Sequence, residues 1–551
     1  MHLDGYRSRM AKMSDESDYV IVGAGAAGSV LASRLTDDPA ITVCVLEAGP
    51  PDRNPWIHIP AGFTKTLFDP SCTWQFKTEP TANTGGRAIA TTQGRTLGGS
   101  SSVNGMVYNR GQPADLDNWA QRGNRGWGYD DMLPYYRRTE RRVGLGDAAK
   151  RGREGAIPVT DMDWIHPISE AFIAGAVAAG IPRNPDYNSG DQAGVGYFQR
   201  VIEHGRRVSA ARAFLQPARN RPNLEVRTNT RARAIMFERK RAVGVSVLHK
   251  QGSPATEIRA RREVILSAGT VNTARLLQVS GVGPVGLLAG LGVPVIHELP
   301  GVGENFRDHY AVRCVAKARA GTVTLNELSR GPRLVDQVLR WATGQPSILA
   351  TAPSQVHVFW KSWTGLDAPD LQCVFTPGSY QQGRTYILDG YPGMTAGVWP
   401  HRPESTGHVH ARSTDPFVDP VVQPNYLADP IDRRVTLGGI RLIRRLLATP
   451  ELAPYVDRET LPGPDVKTDD ELLDYARANG STCYHLIGTA RMGPAADPGA
   501  VVDDTLLVHG MQGLRVVDAS IMPNMPSANT YATTLMIAER GADLIRSASR
   551  R

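Results

Sequence analysis

After a polar opening stretch, Tyr19-Val20-Ile21-Val22 forms a short unbroken apolar run that enters Gly23-x-Gly25-x-x-Gly28 and leaves in an alanine- and leucine-rich stretch with helical spacing. This pattern predicts a buried strand, a tight turn and a helix. ITVCVLEAG, residues 41–49, predicts a second buried strand. Residues 49–130 are rich in Pro, Gly and Trp and predict extended loops laid over a ligand. Alternation of apolar and polar positions in PNLEVRTNTRARAIMFERKRAVGVSVL predicts the two strands of a hairpin. EVILSAGTVNTARLLQVSGVG then repeats the strand, turn and helix order, with its turn at Ser267-Ala268-Gly269. From about 312 to 480 the signals are mixed: QVHVFW and LQCVFTP read as strands, RRVTLGGIRLIRRLLATP as a helix. The C-terminal LRVVDASIMPNMPSANTYATTLMIAERGADLI returns to strand, loop and helix.

The expected fold class is therefore α/β, α+β overall, with a Rossmann-like nucleotide domain and an inserted β-sheet substrate domain. Residues 14–155, 205–312 and 480–551 are expected to build the first, and 156–204 with 313–479 the second. The physical reason for a nucleotide lies in the turn. Gly23 can take backbone angles closed to other residues, Gly25 lets the main chain approach a pyrophosphate, and Gly28 lets the helix pack closely on the strand. Unpaired N–H groups at the helix start face the anion. Glu47, nineteen residues beyond Gly28, ends the second strand where a carboxylate can accept hydrogen bonds from a ribose. A lone GxGxxG is weak, but strand, helix, second strand and Glu47 in register select dinucleotide binding over a bare structural turn.

At 551 residues the chain is too long for one core and implies two or three structural units. A hydrophobic fraction of 41% with 21% charged residues describes a globular protein rather than a disordered one. No stretch reaches the ~20 apolar residues of a membrane helix. The opening MHLDGYRSRMAKMSDESD lacks the apolar core of a secretory signal, reads as a loose tail, and offers Met13 as an alternative start. Five cysteines, an odd number without CxxC spacing, argue against a disulfide framework or a metal site and make a cytoplasmic setting the default. The formal charge of +8 arises from short basic groups mixed with acids, which excludes a nucleic-acid stripe and leaves room for a peripheral contact with acidic surfaces. No internal repeat is visible.

Four blocks make the chain resemble the glucose–methanol–choline (GMC) oxidoreductases from about residue 18 to the C-terminus. They are GAGAAG with Glu47; GRTLGGSSSVNGMVYNRG at 94–111; LSAGTVNTARLLQVSGVGP with LPGVGENFRDH; and STCYHLIGTARMG with VVDASIMP and SANTYATTLMIAE. TEP at 78–80 and PNYL at 424–427 are similar to the bacterial branch of FAD-linked alcohol and choline dehydrogenases. The resemblance implies FAD, a choice that the glycine turn leaves open between NAD and FAD. It implies cofactor contacts for Gly23, Gly25, Ala26, Ala27, Gly28, Glu47 and Ala48, and for Arg95, Gly98, Gly99, Ser100, Asn104, Gly105, Met106 and Val107 of the segment that wraps the flavin. Ala232 takes an adenine-side position, and Ala268, Gly269, Asp518, Ala519, Asn529 and Thr530 complete the set. Family members that tether FAD do so through a histidine just before the asparagine of this segment. Val103 stands there, so the FAD is expected to be non-covalent.

The resemblance also implies the chemistry: oxidation of a primary alcohol to an aldehyde, with hydride passed to flavin N5 and electrons onward to oxygen or a quinone-like acceptor. Loss of the hydroxyl proton requires a base near neutral pKa, which suits histidine. His485 matches the family histidine that faces N5, and Asn529 its partner, which orients the alcohol but cannot act as a base. Leu486 replaces a common proline, Thr406 a common arginine, and His309 of RDH is expected to be structural. Phe359, Trp360 and Tyr380 are candidate apolar lining or plain core. A GMC-fold lyase or decarboxylase, or a non-catalytic flavin module, are the alternatives. The particular alcohol and the oligomeric state are not encoded in any motif.

Overall fold

The computed structural model describes residues 15–383 and 387–548; most of the polar leader, Met13 included, lies outside the described residues. Two seven-stranded sheets organise the chain. The first has the strand Glu16–Val22 at its centre. The strands Val43–Leu46 and then Leu224–Arg227 lie on one side of it, and Thr256–Leu266 on the other, all parallel. Tyr19 to Val22 are all buried, as expected of a strand covered on both faces. Leu514–Val516 joins parallel to the C-terminal end of Thr256–Leu266, while Arg241–Leu248 and then Arg231–Glu238 extend the sheet antiparallel from its N-terminal part. The α/β, Rossmann-type class read from the sequence is the class found.

The expected two-strand hairpin is three strands. Arg231–Glu238 and Arg241–Leu248 do pair, but Leu224–Arg227 turns away to lie beside Val43–Leu46. The break falls at Thr228-Asn229, where Asn229 adopts a left-handed φ of +52° that ends the extended run. Residues 49–130 also hold more helix than expected: short turns at Pro55–His58, Pro60–Gly62 and Phe63–Thr66, and a helix at Pro113–Gln121. Pro113 at its first position and Asp115, whose carboxylate accepts the Gln112 N–H at 2.8 Å, are the start signals that identify it.

The second sheet is antiparallel throughout, in the order Val456–Leu461, Tyr310–Ala318, Gly393–Pro400, Leu371–Thr376, Val356–Trp360, Gly194–Tyr197. Ser481–Thr482 pairs with the start of Tyr310–Ala318 and so carries the chain from this sheet directly to His485. The helix Pro430–Leu447 covers the sheet with Val435, Ile440, Ile443 and Leu447. The long C-terminal helix Thr530–Ala548 packs on Ala26–Leu35, the helix that follows the glycine turn. There the buried Glu539 accepts from Arg34 and pairs with Arg138 at 2.7 Å. Among the described residues no helix is long and apolar enough to cross a membrane.

Candidate active site

A single cavity runs from the glycine turn to the face of the second sheet. At one end Gly28 is packed so closely that a Cβ would lie 1.9 Å from the Gly23 carbonyl oxygen. Gly25 is different: the nearest atoms to a Cβ would be 3.9 and 4.0 Å away, and its open side borders the cavity. The helix beginning at Ala26 therefore presents its first N–H groups to that space, as anion binding requires. Glu47 is buried beside it, its two carboxylate oxygens accepting the N–H groups of Ala24 at 3.0 Å and Gly49 at 2.8 Å. Burial pushes the Glu47 carboxyl up to about 7, against the opposing pull of those N–H groups.

The GGSSSVNG segment closes over the turn, with Gly99 so near that a Cβ there would sit 2.8 Å from Gly25 Cα. Arg207, fully buried, pins this segment from behind by donating to the carbonyls of Ser101 and Asn104 and to Asn104 Oδ1. Gly23, Gly25, Ala26, Ala27, Glu47 and Ala48 line the cavity, as do Gly99, Ser100, Asn104, Gly105, Met106 and Val107. So do Ala232, Ala268, Gly269, Asp518, Ala519, Asn529 and Thr530. Three expected contacts do not. Gly28 serves packing; Gly98 takes a left-handed φ of +85° and donates its N–H to Ala24; Arg95 lies over the Trp74 ring and donates to the Pro70 carbonyl. The Asp518 carboxylate is spent within the protein, accepting from Gly269 N–H, Thr273 Oγ1 and Ser520 N–H, and so fixes the start of the helix Gly269–Val279.

At the other end stands His485. Its backbone N–H donates to buried Asp308, which also accepts from the Tyr426 and Thr482 hydroxyls. Tyr484 before it holds a left-handed φ of +64°, and Leu486, which replaces the common proline, is buried with its carbonyl accepting from Thr270. Thr406 is exposed and its backbone carbonyl accepts from Asn425. Asn529 Nδ2 lies 3.0 Å from His485 Nε2, and His309 Nδ1 lies 2.9 Å from His485 Nδ1.

The network assigns the protons. His309 Nε2 is 2.8 Å from the His401 carbonyl oxygen, which can only accept, so that nitrogen carries hydrogen. In neutral His309, Nδ1 is then an acceptor, and His485 Nδ1 must donate to it. His485 Nε2 is left with its lone pair toward the cavity and toward the Asn529 amide. Burial, reinforced by His309, holds the His485 imidazole well below the usual histidine range, so it is neutral at pH 7. Burial likewise lowers His309, to about 4.

Motif reading did not single out Arg207, Asp308 or the cavity-lining Phe63, Trp74, Phe76 and Trp399, which reach the site by long-range folding. Tyr380 does line the cavity; Phe359 packs instead in a cluster with Tyr187 and Phe198, and Trp360 against the core of the second sheet. Thr92 Oγ1 and Asn272 Oδ1 are buried along the cavity with no hydrogen-bond partner among the described residues. Unpartnered buried polar atoms beside a helix N-terminus, an acidic strand end and an open glycine suit the donors and acceptors of a dinucleotide.

A dinucleotide cradle continuous with a neutral histidine and an asparagine suits an oxidoreductase that works on a second, small substrate. The GMC oxidoreductase family models match residues 17–311 and 403–538, and the chain belongs to this family; its cofactor is FAD. It is 39% identical over 528 residues to an alcohol dehydrogenase [acceptor] of Pseudomonas putida, covering 96% of this chain and 95% of that one. It is 40% identical over 540 residues to the mitochondrial choline dehydrogenase of Homo sapiens, covering 97% and 90%. Among solved structures it is similar to pyridoxine 4-oxidase from Mesorbium loti, with a TM-score of 0.86, 31% identity, and 97% and 99% of the two chains covered. The protein is an FAD-dependent enzyme of the alcohol-oxidising kind.

Proposed function

We propose that this enzyme oxidises a primary alcohol to an aldehyde with His485 as the base that takes the hydroxyl proton. The observation that carries the reading is the 3.0 Å pair of His485 Nε2, an acceptor, and Asn529 Nδ2, a donor. A hydroxyl has one hydrogen to give and lone pairs to receive. Taking the place of that direct contact, the alcohol oxygen donates O–H to His485 and accepts N–H from Asn529. Asn529 is held in that orientation because its Oδ1 faces the amide nitrogens of Asn109 and Gln372, each at 3.4 Å. As the proton moves to Nε2, the ring becomes a cation whose Nδ1–H still donates to His309, and the aldehyde C=O forms as the carbon-bound hydrogen departs with its electron pair. FAD, which the glycine turns and residues of the 99–107 segment would hold, would supply the two-electron sink for that hydrogen as a hydride acceptor at N5. The second sheet forms the wall of a substrate domain and sets specificity. Electrons then go to oxygen or to a quinone-like acceptor.

Anaerobic mixing with a panel of primary alcohols tests the reading, with turnover followed in parallel under oxygen and with an artificial acceptor. Bleaching of the flavin by at least one alcohol, with the aldehyde recovered, is the expected result. A flavin that no alcohol bleaches returns the protein to the class of flavin-binding modules.

A further inference from the structure

The cavity wall opposite the glycine turn carries a cation that no acid pairs among the described residues. Arg313, on the strand Tyr310–Ala318, is half-buried and lines the same cavity as His485. Its guanidinium makes no hydrogen bond or ion pair among the described residues, although this protein pairs most of its interior arginines: Arg110 and Arg151 with Glu140, Arg515 with Glu263. Register places it opposite Gly397, whose missing side chain keeps the neighbouring strand from covering it. Around it the lining is uncharged and rich in donors. Tyr380 and Tyr484 both feel the Arg313 charge, and Thr395 Oγ1 is buried without a hydrogen-bond partner among the described residues. The acids that do line the cavity, Glu47 and Asp518, belong to the cofactor end and are engaged by backbone N–H groups.

We infer that the preferred substrate is an alcohol bearing a carboxylate, whose hydroxyl is held by His485 and Asn529 while Arg313 binds the carboxylate at the other end. The inference rests on the alcohol-oxidising reading above and names the substrate class for it. A planar guanidinium matches a carboxylate with two parallel N–H···O bonds, and the hydroxyls of Thr395 and Tyr380 supply further donors to an acceptor-only group. The same wall disfavours a quaternary ammonium alcohol: a cation placed there meets Arg313 and no carboxylate. The amino alcohol that names one of the relatives is thereby a poor substrate for this chain.

The test compares ω-hydroxycarboxylates with alkan-1-ols of the same length, and with choline, in anaerobic flavin reduction by the full-length FAD enzyme. The readout is the ratio of kcat/KM for acid over neutral alcohol, for wild type, Arg313→Gln and Arg313→Lys, with flavin content measured for each. Wild type is expected to favour the hydroxy acid, and Arg313→Gln to lower the ratio roughly tenfold or more, mainly through KM. Arg313→Lys should recover part of it, and added salt should shrink it. Equal ratios in wild type and Arg313→Gln, or choline as the best substrate, overturn the inference while leaving alcohol oxidation standing. If no alcohol of any kind reduces the flavin, the underlying reading falls, and the inference with it. A variant that loses its flavin is replaced by the Arg313→Lys comparison and by the salt dependence of wild type, which read the same contact.

Discussion

His309 Nδ1 and His485 Nδ1 face each other at 2.9 Å, and the contact decides which nitrogen of His485 is free to take a proton. Because the His401 carbonyl holds the hydrogen of His309 on Nε2, His309 can only accept from His485, which leaves Nε2 of the catalytic ring unprotonated, an acceptor. His309 does not line the cavity; it is a positioning residue. His309→Ala should therefore slow anaerobic flavin reduction by roughly 10–10²-fold with FAD retained. In acid solution, where both rings can take a proton, each opposes the other's charge, so without His309 the acid limb of the pH profile should move up toward the ordinary histidine range. His309→Asn, which can still accept through Oδ1, should recover part of the rate. A pH profile identical to wild type would reduce His309 to a packing role.

His485→Ala should slow flavin reduction by roughly 10²–10⁴-fold, the range of a positioned general base. The sign of the pH dependence follows from burial. The base works as the neutral ring, and that ring takes up a proton only well below pH 6.5, so wild type should keep its full rate through pH 6.5 and lose it in more acid solution. His485→Ala should lack that limb. Asn529→Ala should also be slow, through misorientation of the alcohol, yet keep the limb. A His485→Ala enzyme that reduces at the wild-type rate would assign the base to another group.

What the sequence made legible follows the range of the interactions. The strand, turn and helix at 19–35, the second strand that runs up to Glu47, and the C-terminal helix, here Thr530–Ala548, rest on local periodicity and on glycine stereochemistry, and they are found in place. His485 and Asn529 were legible because each sits inside a matched motif, and folding brings them to 3.0 Å across 44 residues. Leu224–Arg227 departs from the hairpin because its alternation is equally compatible with a hairpin neighbour and with the distant Val43–Leu46; the choice is tertiary. Arg207 and Asp308 carry no motif of their own for their tasks, and only the closed structure shows which carbonyls and N–H groups they serve. The open guanidinium of Arg313 is invisible in sequence for the same reason: what identifies it is the absence of a partner for it among the described residues.

Val103 bears on how FAD is held. It is buried, 4% exposed, and a valine side chain offers no nucleophile at the place where a tethering histidine stands in the resemblance. Acid precipitation is expected to release the yellow chromophore into the supernatant. Retention in the pellet would show a covalent link through another residue.

Glu47→Gln replaces one acceptor oxygen by an NH2 group, so either Ala24 or Gly49 loses the partner of its N–H, and the ribose loses a charged acceptor. FAD binding should weaken by about 1.5–3 kcal/mol. Dilution series with fluorescence of the released flavin measure it. Unchanged retention would mean that the carboxylate serves the turn alone.

Gly25 and Gly28 should fail in different ways. At Gly28 a methyl group would collide with the Gly23 carbonyl at 1.9 Å, an atom of the backbone that cannot move without unseating the helix Ala26–Leu35. Gly28→Ala is expected to give insoluble or thermally unstable protein even with excess FAD, since overpacking at a fixed contact costs about 1–3 kcal/mol or more. At Gly25 the nearest protein atoms leave 3.9 Å, so the added methyl meets no protein and instead occupies the approach to the pyrophosphate. Gly25→Ala should fold, keep the far-ultraviolet circular dichroism of wild type, and purify with little FAD. Thermal melts with and without added FAD separate the two: Gly25→Ala should melt near the wild-type apoprotein and gain little from the cofactor. A Gly25→Ala protein that binds FAD as tightly as wild type would mean that the pyrophosphate lies elsewhere along the cavity.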